Sequence, residues 1–302
     1  MSRAIAIASC EQLPDGFDED RLLVSALAEL GLTGTVLAWS DPAVDWAAFD
    51  ATVLRSTWDY PRRPAEFLAW AETVPRLHNP AAVLRGNSDK RYLAELAAAG
   101  IPIVPTGFFA PGEPIRLPSG TEFVLKPSVG AGSIGAGRFS ADAHGPAREH
   151  AELLHSLGHT VLVQPYLAPV ESYGETALIF LDGSYSHAIR KSALLAPDVR
   201  HSHESGQLYL TETIEPREPS RAERELAERV HAALTATGTA GVEQPAEQPL
   251  LYARIDLLPG PDGPLLLEAE LIEPSLFLEY ADGAAARLAA AIAGRVSAGR
   301  PG

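Results

Sequence analysis

Four charged side chains with strand spacing occur in two apolar segments near the end of the chain. Arg254 and Asp256 stand two residues apart in the first segment, and Glu268 and Glu270 stand two residues apart in the second. Because side chains alternate faces along a strand, each pair shares one face of its strand. A cluster of Pro, Gly and Asp residues separates the segments, which indicates a β-hairpin.

A register that brings the two charged faces together predicts a cation site on this hairpin. Carboxylates facing each other across a strand pair are destabilising, and buried carboxylates require a cation. Hard oxygen ligands suit Mg²⁺, above all where substrate phosphates complete its coordination. The alternative is a hairpin with one solvated face, and the hairpin alone does not decide between them.

Lysine is rare in this chain. Of 24 basic residues only three are lysines, at positions 90, 126 and 191. Arginine thus replaces lysine wherever a surface permits, and a remaining lysine indicates a place that needs a compact point charge. Phosphate binding is such a place, and three leftover surface lysines are the alternative.

Composition limits the classes of function. The 302 residues carry a net charge of −15, which argues against a nucleic-acid backbone or an anionic membrane as the main partner. The single cysteine, Cys10, excludes an intrachain disulfide and lies in an apolar run typical of a core. No apolar run is long enough to predict a membrane span or signal peptide, so we expect a cytoplasmic protein. The sequence leaves open a homodimer or a higher homo-oligomer.

The first 85 residues predict a small α/β lobe with a parallel sheet. The predicted elements alternate: strand Arg3–Ser9, helix Asp18–Leu30 capped by Asp18, strands Thr35–Trp39 and Ala51–Ser56, and helix Pro61–Glu72. Ligands gather at the carboxyl ends of parallel strands. Arg55 and Asp59 follow the third strand and are therefore candidate substrate ligands, with Arg55 suited to a carboxylate. The alternative is a structural Arg55–Asp59 ion pair beneath a tryptophan.

The remaining chain predicts antiparallel strands and three main helices. The strands are Ile101–Thr106, Phe123–Pro127, Arg138–Ser140, Thr160–Tyr166 and a hairpin of Thr176–Leu181 with Tyr185–Arg190. The helices are Ser88–Gly100, Ala147–Leu157 and Arg221–Leu234, with Asp282–Val296 closing the chain. The polar segment Pro197–Glu218 predicts a long loop and a candidate lid.

A glycine-rich segment follows the strand that ends in Lys126. It contains a formal G-x-G-x-x-G at Gly130, Gly132 and Gly135. The dinucleotide-binding motif requires a helix directly after such a loop, whereas this loop runs into a predicted strand. A glycine-rich turn between two strands can instead fold over a nucleotide triphosphate and present backbone N–H groups to its oxygens. A plain flexible turn is the third alternative.

Other polar groups give weaker signals. Strand Thr160–Tyr166 leads to Leu167, Glu171 and Glu175, where a free strand edge suits adenine and a carboxylate suits ribose. His201 and His203 have a spacing that suits a transition metal, but no third ligand is apparent and a solvated loop is favoured. No role follows for His187.

Taken in order, these features resemble the ATP-grasp ligases. The resemblance rests on Lys90 before a helix, FVLKP, the glycine-rich loop, VQPYL, R-x-D and a strand with carboxylates. Among them the chain is most similar to the small enzymes of antibiotic biosynthesis of the O-ureidoserine cyclo-ligase type, through DKRYL, GET, YSHAI and EPSL. The family implies an α+β fold in which a pre-ATP-grasp lobe (1–85) precedes two subdomains, 86–165 and 166–302, that clamp the nucleotide.

The resemblance also implies roles for individual residues. Those implied to bind ATP are Lys90, Lys126, Gly130, Gly132, Ser133, Gly135, Gln164, Tyr166, Leu167, Glu171, Glu175 and Lys191. Asp256 and Glu268 match the family's metal-binding acids. Glu270 stands where the family usually has Asn, so it either strengthens metal binding or requires an extra cation such as Arg254.

The implied activity is ATP-dependent ligation of a small carboxylate to a nitrogen nucleophile through an acyl phosphate, between molecules or within one. Lys191 and Arg254 would be catalytic, Mg²⁺ (two ions, replaceable by Mn²⁺) the metal, and Arg55, Asp59 and Ser275 substrate ligands. We expect the substrate between segment 55–60, the loop 197–213 and the turn 273–275. A nicotinamide oxidoreductase and a non-catalytic nucleotide-binding module are the alternatives.

Overall fold

Three β-sheets follow one another along the chain. The computed structural model describes residues 3–196, 208, 212–236 and 249–298. The first sheet is parallel, the other two are antiparallel, and the mixed α/β architecture agrees with the fold class predicted from the sequence. Among the described residues, none of the helices combines the length and apolar character that a membrane crossing requires.

The first sheet has the strand order β2-β1-β3-β4, flanked by two helices. Its elements are β1 Arg3–Ser9, α1 Asp18–Glu29, β2 Leu32–Ala38, β3 Ala51–Leu54, α2 Pro64–Thr73 and β4 Leu77–His78. Strand β1 is completely buried from Ile5 onward because it lies between β2 and β3 under α1. Arg55 directly follows β3 and donates to Pro274 O at 2.9 Å, so the carboxyl end of β3 lies beside the segment that follows the last hairpin.

The second sheet has the strand order β5-β8-β6-β7. Two short helices precede it and one covers it: α3 Ala81–Asn87, α4 Tyr92–Ala98, β5 Gly107–Phe109, β6 Phe123–Pro127, β7 Gly137–Phe139, α5 His144–Ser156 and β8 Val161–Pro165. Phe123, Leu125, Phe139 and Val161 pack against α5 in a separate small core. The glycine-rich loop thus connects two adjacent antiparallel strands, β6 and β7.

The third sheet has the strand order β11-β10-β9-β12-β13. Its elements are α6 Val170–Tyr173, β9 Glu175–Leu181, β10 Ser184–Lys191, β11 Ile214–Pro216, α7 Arg221–Thr235, β12 Tyr252–Gly260 and β13 Gly263–Glu270. In β12 and β13, Arg254 pairs with Glu270 and Asp256 pairs with Glu268. The register predicted from the charge pattern is therefore the one the hairpin adopts.

The last helix, α8 Ala284–Ala298, packs against elements from the beginning of the chain. Its Leu288 and Ile292 share one apolar core with Ile5 of β1, Leu27 of α1 and Ile179 of β9 in the third sheet. The first and third sheets are held against one another by this shared core. The second sheet has its own core and meets them along the glycine-rich loop and α4.

Some predicted element boundaries are wrong. The N-cap of α1 is Phe17, whose N–H donates to Asp20 Oδ2 at 2.8 Å, rather than Asp18. Residues 101–106 form a single β-bridge at Ile103 instead of a strand, because two prolines there remove ladder donors. The helix predicted from Ser88 begins at Tyr92, and the polar loop contains the short strand β11.

Candidate active site

Three carboxylates converge at the start of the β12–β13 hairpin. Ligand oxygens of Asp256, Glu268 and Glu270 all lie within 4.8 Å of one another. Their side chains share one face because both strands alternate in register. Arg254 donates to both oxygens of Asp256, at 3.0 and 2.9 Å, and its Nη2 lies 2.5 Å from Glu270 Oε1. The cluster is therefore a buried network of alternating charges.

Two lysines complete the compensation of this negative charge. Lys191 Nζ lies 3.0 Å from Asp256 Oδ2 and also contacts Glu175. Lys90 Nζ lies 3.5 Å from Glu268 Oε2 and donates to Gly130 O at 2.7 Å. All three lysines of the chain thus face one cleft, as Lys126 lines it too.

The surroundings shift the pKa values of Glu268 and Glu270 in opposite directions. Burial alone would raise the pKa of Glu268, but Lys90 and Lys126 hold it below its usual range. Burial raises the pKa of Glu270 to about 7, and Arg254 offsets only part of this shift. Glu270 therefore ionises less readily than Glu268, and its charge depends on Arg254.

The residues fit a divalent cation. Clustered carboxylate oxygens are the ligands that Mg²⁺ prefers, and the three oxygens converge closely enough to share one ion. The sequence predicted that Glu270 either strengthens metal binding or requires an extra cation. Its contact with Arg254 matches the second of these expectations. Arg254 also contacts Asp256, whereas the ion-pair partner of Glu268 within the described chain is Lys90.

The glycine-rich loop closes one side of the cleft as a tight hairpin turn. Gly132 and Ser133 both have positive φ, +58° and +60°, and the Ile134 N–H donates to Ala131 O at 3.2 Å. Positive φ at both central positions defines a type I′ turn, the geometry of two-residue hairpins. The β7 strand follows it directly, so the helix that a dinucleotide-binding loop requires is absent here and that alternative is excluded.

The exit of β8 forms the opposite wall. The Tyr166 N–H donates to Glu122 O at 2.8 Å, and Leu167 O accepts from the Val170 N–H at 3.0 Å. Within the described chain, the carbonyl of Tyr166 and the N–H of Leu167 have no backbone partner, and both residues line the cleft. One acceptor and one donor on adjacent residues can pair with the edge of a purine.

The two acids expected near the ribose have different environments. Arg138 Nη1 contacts Glu171 Oε1 at 2.7 Å, and the hydroxyl of Tyr166 donates to the same oxygen at 2.6 Å. Glu171 is exposed and does not line the cleft, whereas Glu175 does. Gln164 also lines the cleft, and its Nε2 donates to Thr106 Oγ1 at 2.9 Å.

A second pocket adjoins the first at the carboxylate cluster. Both are bordered by Lys191, Glu268, Glu270 and the turn Ala131–Ser133. The second pocket continues toward the first sheet, and its other walls include Phe17, Trp58, Glu273, Ser275 and Phe277. Ser275 lines this second pocket, and its carbonyl accepts from Arg254 Nη1 at 3.2 Å.

Arg55 and Asp59 lie outside both pocket walls. Arg55 is 2% exposed, contacts Glu19 at 2.7 Å, and donates to Pro274 O at 2.9 Å. Asp59 pairs with Arg63 and accepts from the indole of Trp39. The alternative Arg55–Asp59 ion pair is therefore wrong as well, and Arg55 instead attaches the first sheet to segment 273–276.

Each of the three segments expected to surround the substrate contributes to the second pocket's wall, through Trp58, Glu212 and Glu273. Sequence reasoning missed Phe17 and the segment 277–280, because no motif or spacing connects them. His187 is buried, and its Nε2 lies 2.8 Å from Leu276 O, which assigns it to the packing of segment 273–276. His201 and His203 lie outside the described residues.

Comparisons with known proteins identify relatives of this chain. The family model for the N-terminal domain of D-cycloserine synthetase DcsG matches residues 5–79. The chain is 38% identical, over 96% of its length and 97% of the relative's, to the cycloserine biosynthesis protein DcsG of Streptomyces lavendulae. The crystal structure of D-cycloserine synthetase DcsG superimposes with a TM-score of 0.83 at 35% identity, over 97% of this chain and 99% of that one.

More distant structures share the fold. An ATP-grasp RimK domain protein from Sphaerobacter thermophilus gives a TM-score of 0.63 at 19% identity, over 97% of this chain and 99% of that one. The ATP complex of a D-alanine–D-alanine ligase from Bacillus anthracis gives 0.62 at 16% identity, with 98% of both chains covered. Given the extent of the match to DcsG, the chain belongs to the cycloserine synthetase family of ATP-grasp ligases.

Proposed function

We propose that this enzyme activates the carboxylate of O-ureidoserine with ATP and closes the ring of cycloserine. The observation that carries the proposal is the junction of the two pockets. A nucleotide in the first and an amino-acid derivative in the second would meet at Lys191, Glu268 and Glu270, which border both. The identity to DcsG supports this choice of substrate over other small carboxylates.

The first pocket has the groups that ATP requires. Lys90 and Lys126 would bind its phosphates under the turn at Gly132 and Ser133, whose N–H groups suit phosphate oxygens. The adenine edge would pair with the free carbonyl of Tyr166 and N–H of Leu167. Burial lowers the pKa of Lys126, and the adjacent Lys90 adds to this effect. An anion between these lysines is therefore favoured.

The sugar and the lid complete the nucleotide site. Gly130 and Gln164 line the walls of this pocket, and Gly135 does not. Glu175 is the better placed of the two acids for a ribose hydroxyl because it lines the cleft and Glu171 does not. Residues 86–165 would form the lid subdomain, and residues 166–302 would form the subdomain that carries the metal site.

Asp256 and Glu268 would hold Mg²⁺ directly. Glu270 would become a third ligand when its carboxylate releases Arg254 and binds the ion instead. Two ions are expected, and Mn²⁺ would substitute because it takes the same oxygen ligands. The bound metal would neutralise charge on the transferring phosphoryl group. Lys191 and Arg254 supply fixed positive charge at the same point.

The chemistry then needs no protein nucleophile. A carboxylate oxygen of the substrate attacks the γ-phosphorus and ADP leaves, giving an acyl phosphate. The substrate's own ureido nitrogen attacks the acyl carbon and loses its proton, and inorganic phosphate leaves with that carboxylate oxygen. One water then removes the carbamoyl group from the ring nitrogen as carbon dioxide and ammonia, which gives cycloserine. Positioning and fixed charge provide most of the acceleration in such transfers. Closure of the glycine-rich turn would exclude water from the acyl phosphate.

The test is turnover of both enantiomers of O-ureidoserine with ATP and Mg²⁺. ADP release and the product mass are recorded, with Glu149→Gln, an exposed acid on α5, as the control variant. We expect one ADP per molecule of cyclised product, and loss of both in Glu268→Gln. ADP release only when a separate amine is added would replace ring closure by intermolecular ligation. Reduction or oxidation of a nicotinamide without ADP release would overturn the ligase proposal.

A further inference from the structure

The second pocket carries more negative than positive charge. Its described wall contains two cations: Lys191, which also lines the first pocket, and Arg254, which contacts Glu270 at the border of the two pockets. The wall also contains six glutamates: Glu19, Glu212, Glu268, Glu270, Glu273 and Glu279. Three of the six contact a cation of the protein: Glu19, Glu268 and Glu270. The other three, Glu212, Glu273 and Glu279, have no ion pair with a cation within the described chain.

Glu273 is the buried member of the uncompensated set. It is 7% exposed, whereas Glu279 is exposed and Glu212 is partly buried. Within the described chain no cation forms an ion pair with Glu273, because Arg254 is bound to Asp256 and Glu270, and Lys90 lies against Glu268. Burial raises the pKa of Glu273 to about 8, and the nearby Glu270 adds to this effect. A buried carboxyl group of this kind stays protonated unless a cation from outside the chain binds beside it and favours its ionised form.

Aromatic rings line the same pocket as Glu273. Phe17 and Trp58 meet edge to face with their centroids 4.9 Å apart, and both line the pocket. Phe277 and Tyr280 form a second aromatic pair on the wall, at 6.2 Å. The indole N–H of Trp58 donates to the backbone carbonyl of Glu273 at 3.0 Å, which fixes the ring beside the acid. Ring faces attract an ammonium group, and a carboxylate beside them adds direct ion pairing.

We propose that Glu273 binds the ammonium group of an amino-acid substrate, with the aromatic pairs as the surrounding wall. This inference rests on the proposed function, which places the substrate's carboxylate beside Lys191 and Arg254. The ammonium group of the substrate then lies beside Glu273, so the pocket selects substrates by the positions of these two charges. An ammonium beside Glu273 favours the ionised carboxylate, so binding itself supplies the charge that burial disfavours.

The alternative is that Glu273 stabilises the fold only. Its backbone already has a structural contact, to Trp58, and this contact does not need the carboxylate. A purely structural side chain would affect all substrates alike. A recognition group would affect only those that carry the ammonium.

The experiment therefore varies the enzyme and the substrate together. Wild type, Glu273→Gln and Glu273→Asp are assayed for ADP release with O-ureidoserine and with 3-(ureidooxy)propanoate, which lacks the amino group. Loss of a charged hydrogen bond corresponds to roughly a 10- to 100-fold change in kcat/KM. We expect Glu273→Gln to lose about that factor with O-ureidoserine and to lose little with the deamino analogue, with partial recovery in Glu273→Asp. Equal losses with both substrates would overturn the proposal.

A binding measurement separates this inference from the proposed function. Tryptophan fluorescence, to which Trp58 in the pocket wall contributes, records binding of serine and of 3-hydroxypropanoate to each variant without turnover. If O-ureidoserine gives no ADP but serine binds better than 3-hydroxypropanoate only when Glu273 is intact, ring closure is wrong and ammonium recognition stands. If the two ligands bind equally well to wild type, ammonium recognition is wrong.

Discussion

Replacing Arg254 by Met tests whether the carboxylate cluster depends on its arginine. Arg254 is 6% exposed and contacts Asp256 through two nitrogens and Glu270 through one, at 2.9 to 3.2 Å and 2.5 Å. Methionine conserves most of the volume and removes the charge. Removing one partner of a buried ion pair costs about 3–5 kcal/mol, because the other partner stays buried without compensation. We expect a loss of that size in the free energy of unfolding without metal.

Magnesium should reverse part of this loss. A ligand that binds only the folded state adds about 2.7 kcal/mol at 100 times its dissociation constant, and Met does not compete with the ion for Glu270. The rise in unfolding midpoint with Mg²⁺, measured by urea denaturation with EDTA or MgCl₂, should therefore be larger for Arg254→Met than for wild type. Arg221→Met is the control, since its contact with Glu225 is exposed and surface pairs contribute about 0–1 kcal/mol.

A decrease of less than about 1 kcal/mol in the free energy of unfolding of Arg254→Met in EDTA would show that the carboxylate cluster does not depend on Arg254. An Mg²⁺ response equal to that of wild type would separately contradict the competition between Arg254 and the metal.

Three further variants test other parts of the account. Lys126→Ala should lose measurable ATP turnover. Its circular dichroism and unfolding midpoint should stay near those of wild type, since Lys126 has no ion pair within the described chain. Retained turnover would show that Lys126 does not belong to the phosphate site. Gly132→Val places a β-branched residue at φ +58°, a cost of roughly 1–2 kcal/mol, so KM for ATP should rise about tenfold, and an unchanged KM would show that the turn does not contact the nucleotide. Because burial raises the pKa of Glu273 to about 8, the folded metal-free protein binds the extra proton, and its stability should fall by ~1.4 kcal/mol per unit as pH rises from about 4.5 toward 8. Glu273→Gln should flatten this decline, and identical pH profiles would contradict the assignment.

Local patterns were sufficient for the hairpin and the glycine-rich turn. Alternation determined which side chains of β12 and β13 share a face. In the register that the hairpin adopts, Arg254 lies opposite Glu270 and Asp256 lies opposite Glu268, so the cations around this face compensate one pair of opposed acids. The turn between β6 and β7 followed from the absence of a helix start after Gly135. Both features depend on residues close in sequence, where period and turn chemistry are decisive.

Contacts between distant segments could not be predicted from the sequence. Arg55 follows a strand as a substrate ligand would, yet Glu19 and Pro274, 36 and 219 residues away, take its guanidinium group. Composition does not reveal that α1 and segment 273–276 pack around it. The aromatic wall near Glu273 has the same origin, because Phe17 and Trp58 meet only through tertiary packing.

The central claim is that ATP phosphorylates the substrate carboxylate at the junction of the two pockets. The direct measurement uses O-ureidoserine with ¹⁸O in both carboxylate oxygens, and mass spectrometry of the inorganic phosphate formed with Mg²⁺ and unlabelled ATP. We expect one ¹⁸O in each phosphate released with cyclised product, because attack by the ureido nitrogen breaks the bond between the acyl carbon and the oxygen that bridges to phosphorus. Ring closure with unlabelled phosphate would contradict an acyl phosphate at this site.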